Sequence, residues 1–253
     1  MNAHVENVSE AEAQIRVDLA ACYRLVALYG WDDLVFTHIS ARIPGPEHHF
    51  LINPYGLMFE EITASSLVKI DMDGQKVGAS PYPVNPAGFT IHSAVHEVRE
   101  DAGCVMHLHT PDGTAVSTSR EGLLPLNQTA QLVLPDLAYH DYEGVALDLA
   151  EWPRLQCDLG QKNIMLLHNH GTLTLGRTCG EAFLRMYFLE RACTMQVRTR
   201  MLGSAEGDYP TAPEVIEKNA ALAQSGGLSK VAEQLVWPAL LRKLDRLDSS
   251  FRK

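Results

Sequence analysis

Val105-Met106-His107-Leu108-His109-Thr110 decides how this chain is read, together with His168-Asn169-His170-Gly171 further along. Entered through Gly103-Cys104, the first stretch is apolar apart from its histidines, as a buried strand is. Side chains alternate along a strand, so His107 and His109 share one face while Met106 and Leu108 pack behind them. Two imidazoles on one face make an edge for a divalent metal, and a third ligand must arrive from elsewhere. Residues 163–168 form a second apolar strand that runs into an Asn-His-Gly turn. His168 and His170 compete for the third place, since i and i+2 share a face if the strand runs straight. Gly171 lets the backbone turn there, so only one of them need point inward. The pattern predicts a three-histidine metal centre.

Outward from that centre, the chain alternates helices and strands. Ser9 suits the N-cap of a helix with Ile15, Leu19, Tyr23 and Val26 as its buried stripe, closed by Gly30. Residues 34–43 alternate as a half-buried strand, 49–53 form a second, and 66–72 a third that ends at the hairpin signal Asp73-Gly74. A helix over 88–98 turns His92 inward, where support of the ligands or packing fits it better than ligation. A short helix follows Pro111. Residues 122–144 read as irregular and apolar, and they carry Tyr139-His140-Asp141-Tyr142. A helix over 148–159, a strand holding His168 and His170 that ends near Gly176, and a long helix over 181–202 follow. After a Gly/Ser/Asp break at 203–209 come helices over 213–223 and 229–247. Without repeats or a low-complexity linker, this gives one α/β domain over 1–210 and a helical extension over 211–253.

Composition narrows the function. A net charge of −10 argues against nucleic acid or an anionic membrane as partner. No run of about 18 apolar residues and no signal-like start appears. The five cysteines lack CxxC spacing and read as reduced thiols of a cytoplasmic protein. Seven of the eleven histidines lie between His92 and His170, in agreement with a metal site. Nucleophile-elbow, phosphate-loop, dinucleotide and HExxH motifs are missing.

His107-Leu108-His109-Thr110-Pro111 and Asn169-His170-Gly171 resemble the signature of the class II aldolase/adducin family. The flanks agree: Pro86 to His92 followed by Arg99, Gly122-Leu123-Leu124-Pro125, Tyr139-His140-Asp141-Tyr142 and Gly180-Glu181-Ala182-Phe183. The resemblance implies a three-layer α/β/α sandwich around a mostly antiparallel, mixed, nine-stranded sheet, with C-terminal helices. It implies His107, His109 and His170 as ligands of a divalent metal, zinc first, with iron, manganese, cobalt or nickel as alternatives. It also implies a homotetramer with sites between subunits, where Tyr142 or His140 would reach a neighbouring subunit's site and move a proton. The apolar stretch 123–137 is too apolar for an exposed loop and is expected to need a partner's cover.

Departures from the family sharpen the expectation. Its sugar-phosphate aldolases carry an acid/base glutamate four residues before the histidine matching His92; here Gly88 stands there. Their phosphate-gripping segments read here as Thr37-His38, Tyr55-Gly56 and Pro86-Ala87, so a phosphosugar is not expected. The expected activity is metal-dependent C–C cleavage (retro-aldol, decarboxylation or oxidative) of a small non-phosphorylated keto-, hydroxy- or aromatic carboxylic acid. The enzyme would be an aldolase/decarboxylase-type lyase or a non-haem iron oxygenase. Thr37, Tyr55, Gly56 and His92 are the expected substrate-site residues, with Tyr55, Phe89, Tyr139 and Tyr142 as aromatic walls. The rival expectation is an adducin-like interaction protein with a vestigial metal site.

Overall fold

The computed structural model describes residues 8–145, 148–203 and 208–253. Helix α1 (Glu10–Tyr29) begins where the Ser9 side chain accepts the Glu12 amide at 3.1 Å. It ends at Gly30, whose φ of 68° is the left-handed conformation that glycine adopts without a Cβ penalty. The chain then turns over 34–37, so only His38–Arg42 of the expected first strand is extended, as β1.

Seven strands lie among the described residues: β1, β2 (Phe50–Ile52), β3 (Val68–Ile70), β4 (Cys104–Leu108), β5 (Leu137–His140), β6 (Ile164–Leu167) and β7 (Gly171–Gly176). Their order is β3-β2-β1-β4-β7-β6-β5, and every pairing except β5–β6 is antiparallel. The sheet is mixed and mostly antiparallel, with seven strands rather than the implied nine. After Asp73-Gly74 the chain makes only an isolated bridge, Ile70 to Lys76, so no further strand forms there.

Alternation on these strands builds a core on each face. Ile39, Ala41, Met106 and Leu108 pack toward α1 and α6 (Cys179–Met201). Val105, Leu173, Leu175 and Met165 pack with α2 (Pro86–Val98) and α5 (Trp152–Leu159). The result is the α/β/α sandwich expected. The short helices α3 (Pro111–Ser117) and α4 (Gln128–Val133) lie against α6. C-terminal helices α7 (Pro213–Gln224), α8 (Gly227–Val231) and α9 (Trp237–Leu247) follow, and Trp237, Leu244 and Phe251 enter the first core.

Two segments differ from the sequence reading. Residues 164–176 form a hairpin instead of one strand, because Asn169 takes a φ of 55° and reverses the chain. Residues 122–144 are less irregular than expected: they hold α4 and β5, and β5 gains its order by parallel pairing to β6. The apolar stretch there is largely covered within the chain, with Leu123, Ala130, Val133 and Leu137 in the first core, so it does not itself require a partner.

Candidate metal centre

The β6–β7 hairpin and the end of β4 build the site. A Cβ on Gly171 would lie 2.5 Å from the Leu108 carbonyl oxygen, so only glycine lets β7 start this close to β4. The turn sends its two histidines apart. His168 Nδ1 is hydrogen-bonded to the Ser117 carbonyl at 2.9 Å, and its ring stacks on Tyr139. His170 instead lies with its ring centre 4.7 Å from that of His107 and 4.9 Å from that of His109. One ring nitrogen from each of His107, His109 and His170 falls within 4.8 Å of the other two.

The hydrogen bonds aim two ring nitrogens at one point. His107 Nδ1 lies 3.0 Å from the Thr172 carbonyl, and His109 Nδ1 lies 3.0 Å from Asp33 Oδ2. Both partners accept, so both Nδ1 atoms carry a proton and both Nε2 atoms are turned into the site. Those two Nε2 atoms face each other at 3.0 Å. Lone pairs so placed repel unless a positive centre sits between them. Burial, with His170 and His38 next in effect, holds His107 far below the ordinary imidazole range, so its own Nε2 is an unprotonated donor atom. Burial and then His109 push His170 down to about 4. Zn–N bonds of about 2.1 Å at tetrahedral angles place two nitrogens about 3.4 Å apart. The donor set therefore fits a divalent metal, with His107, His109 and His170 to hold it. Asp33 and the Thr172 carbonyl are the outer partners that orient such ligands.

Behind His107 runs a buried polar chain. His38 pairs with His107 in the β1–β4 register, and its ring centre is 5.1 Å from that of His107. His38 Nδ1 meets His92 Nε2 at 2.8 Å, and His92 Nδ1 meets Ser40 Oγ at 2.6 Å. Ser40 Oγ also meets His96 Nε2 at 2.8 Å. Burial first, then neighbouring histidines, keeps His38 and His92 well below the usual imidazole range. Both nitrogens of His92 are thus taken up, and it supports His38 instead of facing open space. A Cβ on Gly88 would sit 2.8 Å from His38 Cδ2, so the His38 ring fills the room a side chain at 88 would need.

The other residues singled out by sequence fall at varied distances. Tyr142 is half exposed, with its ring 6.2 Å from that of His170. His140 is buried with Nδ1 at 2.7 Å from Asp158 and Nε2 at 3.1 Å from Glu151, so neither nitrogen is free to exchange a proton with a substrate. Thr37 is fully buried, and its hydroxyl has no hydrogen-bond partner among the described residues. Tyr55 and Gly56 form the turn after β2, where the Tyr55 amide bonds Pro83. Tyr139 is committed to the protein, its hydroxyl accepting the Leu123 amide at 3.0 Å. The side chain of Phe89 lies outside the described residues.

The Class II Aldolase and Adducin N-terminal domain family matches residues 17–197. The chain belongs to the class II aldolase/adducin family. It is 60% identical over 239 residues to a putative aldolase class 2 protein of Caulobacter vibrioides, covering 94% of this chain and 92% of that one. It is 47% identical over 201 residues to alpha-adducin of Mus musculus, covering 78% of this chain but 27% of that protein. Among solved structures, an aldolase II superfamily protein from Pseudomonas syringae superposes with a TM-score of 0.92 at 45% identity, each chain covered entirely. The L-fuculose 1-phosphate aldolase of Glaciozyma antarctica PI12 superposes with a TM-score of 0.83 at 25% identity, over 100% of this chain and 97% of that one.

Within this family frame, sequence reasoning missed Asp33, Ser40 and Glu190. Asp33 follows another aspartate just before β1, a position that reads as an ordinary surface turn. Glu190 of α6 is buried and accepts the Thr110 hydroxyl at 2.5 Å, next to ligand His109. Burial pushes its carboxyl up to about 7. Its sequence signal is a glutamate placed directly after the apolar run Tyr187-Phe188-Leu189.

Proposed function

We propose that this chain is a metal-dependent enzyme that cleaves a C–C bond in a small non-phosphorylated keto-, hydroxy- or aromatic carboxylic acid. The observation that carries this reading is the convergence of one ring nitrogen from each of His107, His109 and His170, with the Nε2 atoms of the first two 3.0 Å apart. A divalent ion held there, zinc first, with iron, manganese, cobalt or nickel as alternatives, would supply Lewis acidity toward the oxygens of such an acid. The chain's own residues do the rest. Asp33 and Thr172 fix the two imidazoles, and the His38 ring leaves no room for a carboxylate base at position 88. Proton transfer then falls to Tyr142, whose half-exposed phenol stands beside His170 where a substrate comes from solvent. His140, tied at both nitrogens, steadies the strand end from which Tyr142 hangs.

The relatives called aldolases support an enzymatic reading, whereas the closed space between Gly88 and His38 speaks against the sugar-phosphate substrate that one of them is named for. The test begins with metal analysis of protein purified without a chelating tag. Keto-, hydroxy- and hydroxyaryl carboxylic acids should then raise the melting temperature of the metallated protein and leave the metal-free form unmoved. Saturation at a hundred times Kd adds about 2.7 kcal/mol, a readily visible shift. Turnover of fuculose phosphate by the unmodified chain would overturn the substrate class. The similarity to alpha-adducin favours a second reading, an interaction protein with a vestigial site. A fully metallated protein that no acid stabilises would favour it.

A further inference from the structure

On the sheet face opposite His107, a second cluster of ligating atoms stands apart from the histidines. Cys22 in α1, Cys104 opening β4 and Cys179 opening α6 bring their three sulfurs within 4.8 Å of one another. Cys22 and Cys104 are completely buried, and Cys179 is 5% exposed. Cys22 Sγ also contacts the Cys179 carbonyl at 3.8 Å. We infer that Cys22, Cys104 and Cys179 form a second metal site, suited to a soft monovalent ion, Cu(I).

Donor type, ligand number and spacing select that ion. Sulfur-only donors favour Cu(I), zinc and iron–sulfur centres over hard cations. Structural zinc is almost always four-coordinate. Among the described residues the cluster comprises three ligands only, and its burial keeps water from supplying a fourth. Metal–sulfur bonds of about 2.3 Å in a trigonal plane set the sulfurs about 4 Å apart, inside the spacing already present.

The experiment is anaerobic titration of the folded chain with Cu(I), its histidine triad first loaded with zinc, in competition with bicinchoninate. One equivalent should be retained, with a copper absorption edge fitted by sulfur alone and a raised melting temperature. Cys104→Ser should lose that equivalent, and Cys157→Ser, at an exposed cysteine of α5, should keep it. If Cys104→Ser fails to fold, the absorption edge of the unaltered chain still decides. A nitrogen-containing shell, complete loss of copper to the competitor, or full retention in folded Cys104→Ser would overturn the site and leave three packed thiols.

Discussion

At the scale of single residues, the histidines were legible and the groups that aim them were not. His107 and His109 announce themselves because alternation on an apolar strand puts two ligating side chains on one face. The choice between His168 and His170 rests on one backbone angle, the φ of 55° at Asn169, which no side-chain pattern reveals. Asp33 was invisible because its partner, His109, is 76 residues away. Its role is testable. Asp33→Ala removes the acceptor that fixes His109, so metal affinity should fall by about 10- to 100-fold while the fold survives, as measured by chelator competition. Unchanged affinity would remove Asp33 from the site. The contact between Gly88 and His38 gives a second test. Gly88→Ala places a methyl 2.8 Å from the His38 ring and should cost about 1–3 kcal/mol in urea unfolding. The same substitution made on His38→Ala should cost much less. Equal costs in both backgrounds would mean that His38 does not fill that space.

At the scale of elements, strands that pair antiparallel to neighbours in sequence or carry strong alternation were foreseen, and β5 was not. Its order comes from parallel pairing with β6, a long-range contact that leaves only a weak local signal. Helix α6 was foreseen at nearly its full length, yet its buried Glu190 makes it a pH-sensitive element. The carboxyl has its midpoint at about 7 in the fold, against an ordinary value of 4.5. A raised carboxyl favours folding while it is protonated. That contribution is complete below pH 4.5 and is lost as the pH rises through 7, about 3 kcal/mol to order of magnitude. Glu190→Gln keeps an acceptor for Thr110 without the charge. Its stability should change less between pH 5 and pH 8 than that of the unaltered chain, read from urea midpoints at both values. Parallel pH dependences would assign the effect elsewhere.

At the scale of the whole molecule, alternating helices and strands made the α/β class legible, and the three-layer sandwich was legible through the family resemblance that the His-x-His strand and the Asn-His-Gly turn carry. Assembly is a different matter. The stretch 123–137, which suggested a partner from sequence, is largely covered by the chain's own helices. The argument for an oligomer moves instead to the residues that flank the metal centre. Leu34 and Phe36 stand just after Asp33 and are 59% and 51% exposed. Tyr142, beside His170, is followed by Val145 and Leu149 at 73% and 53% exposed. Large apolar side chains gathered on two segments that adjoin one site mark a surface that another chain covers. We therefore expect an oligomer, which the family resemblance would make a homotetramer with sites between subunits, and a light-scattering mass several times that of one chain at micromolar concentration. Phe36→Ser should shift the population toward smaller species. Metal should stay bound through that shift, because His107, His109 and His170 all come from one chain. A single-chain mass for the unaltered protein would end the expectation, and with it any role for Tyr142 in a neighbour's site.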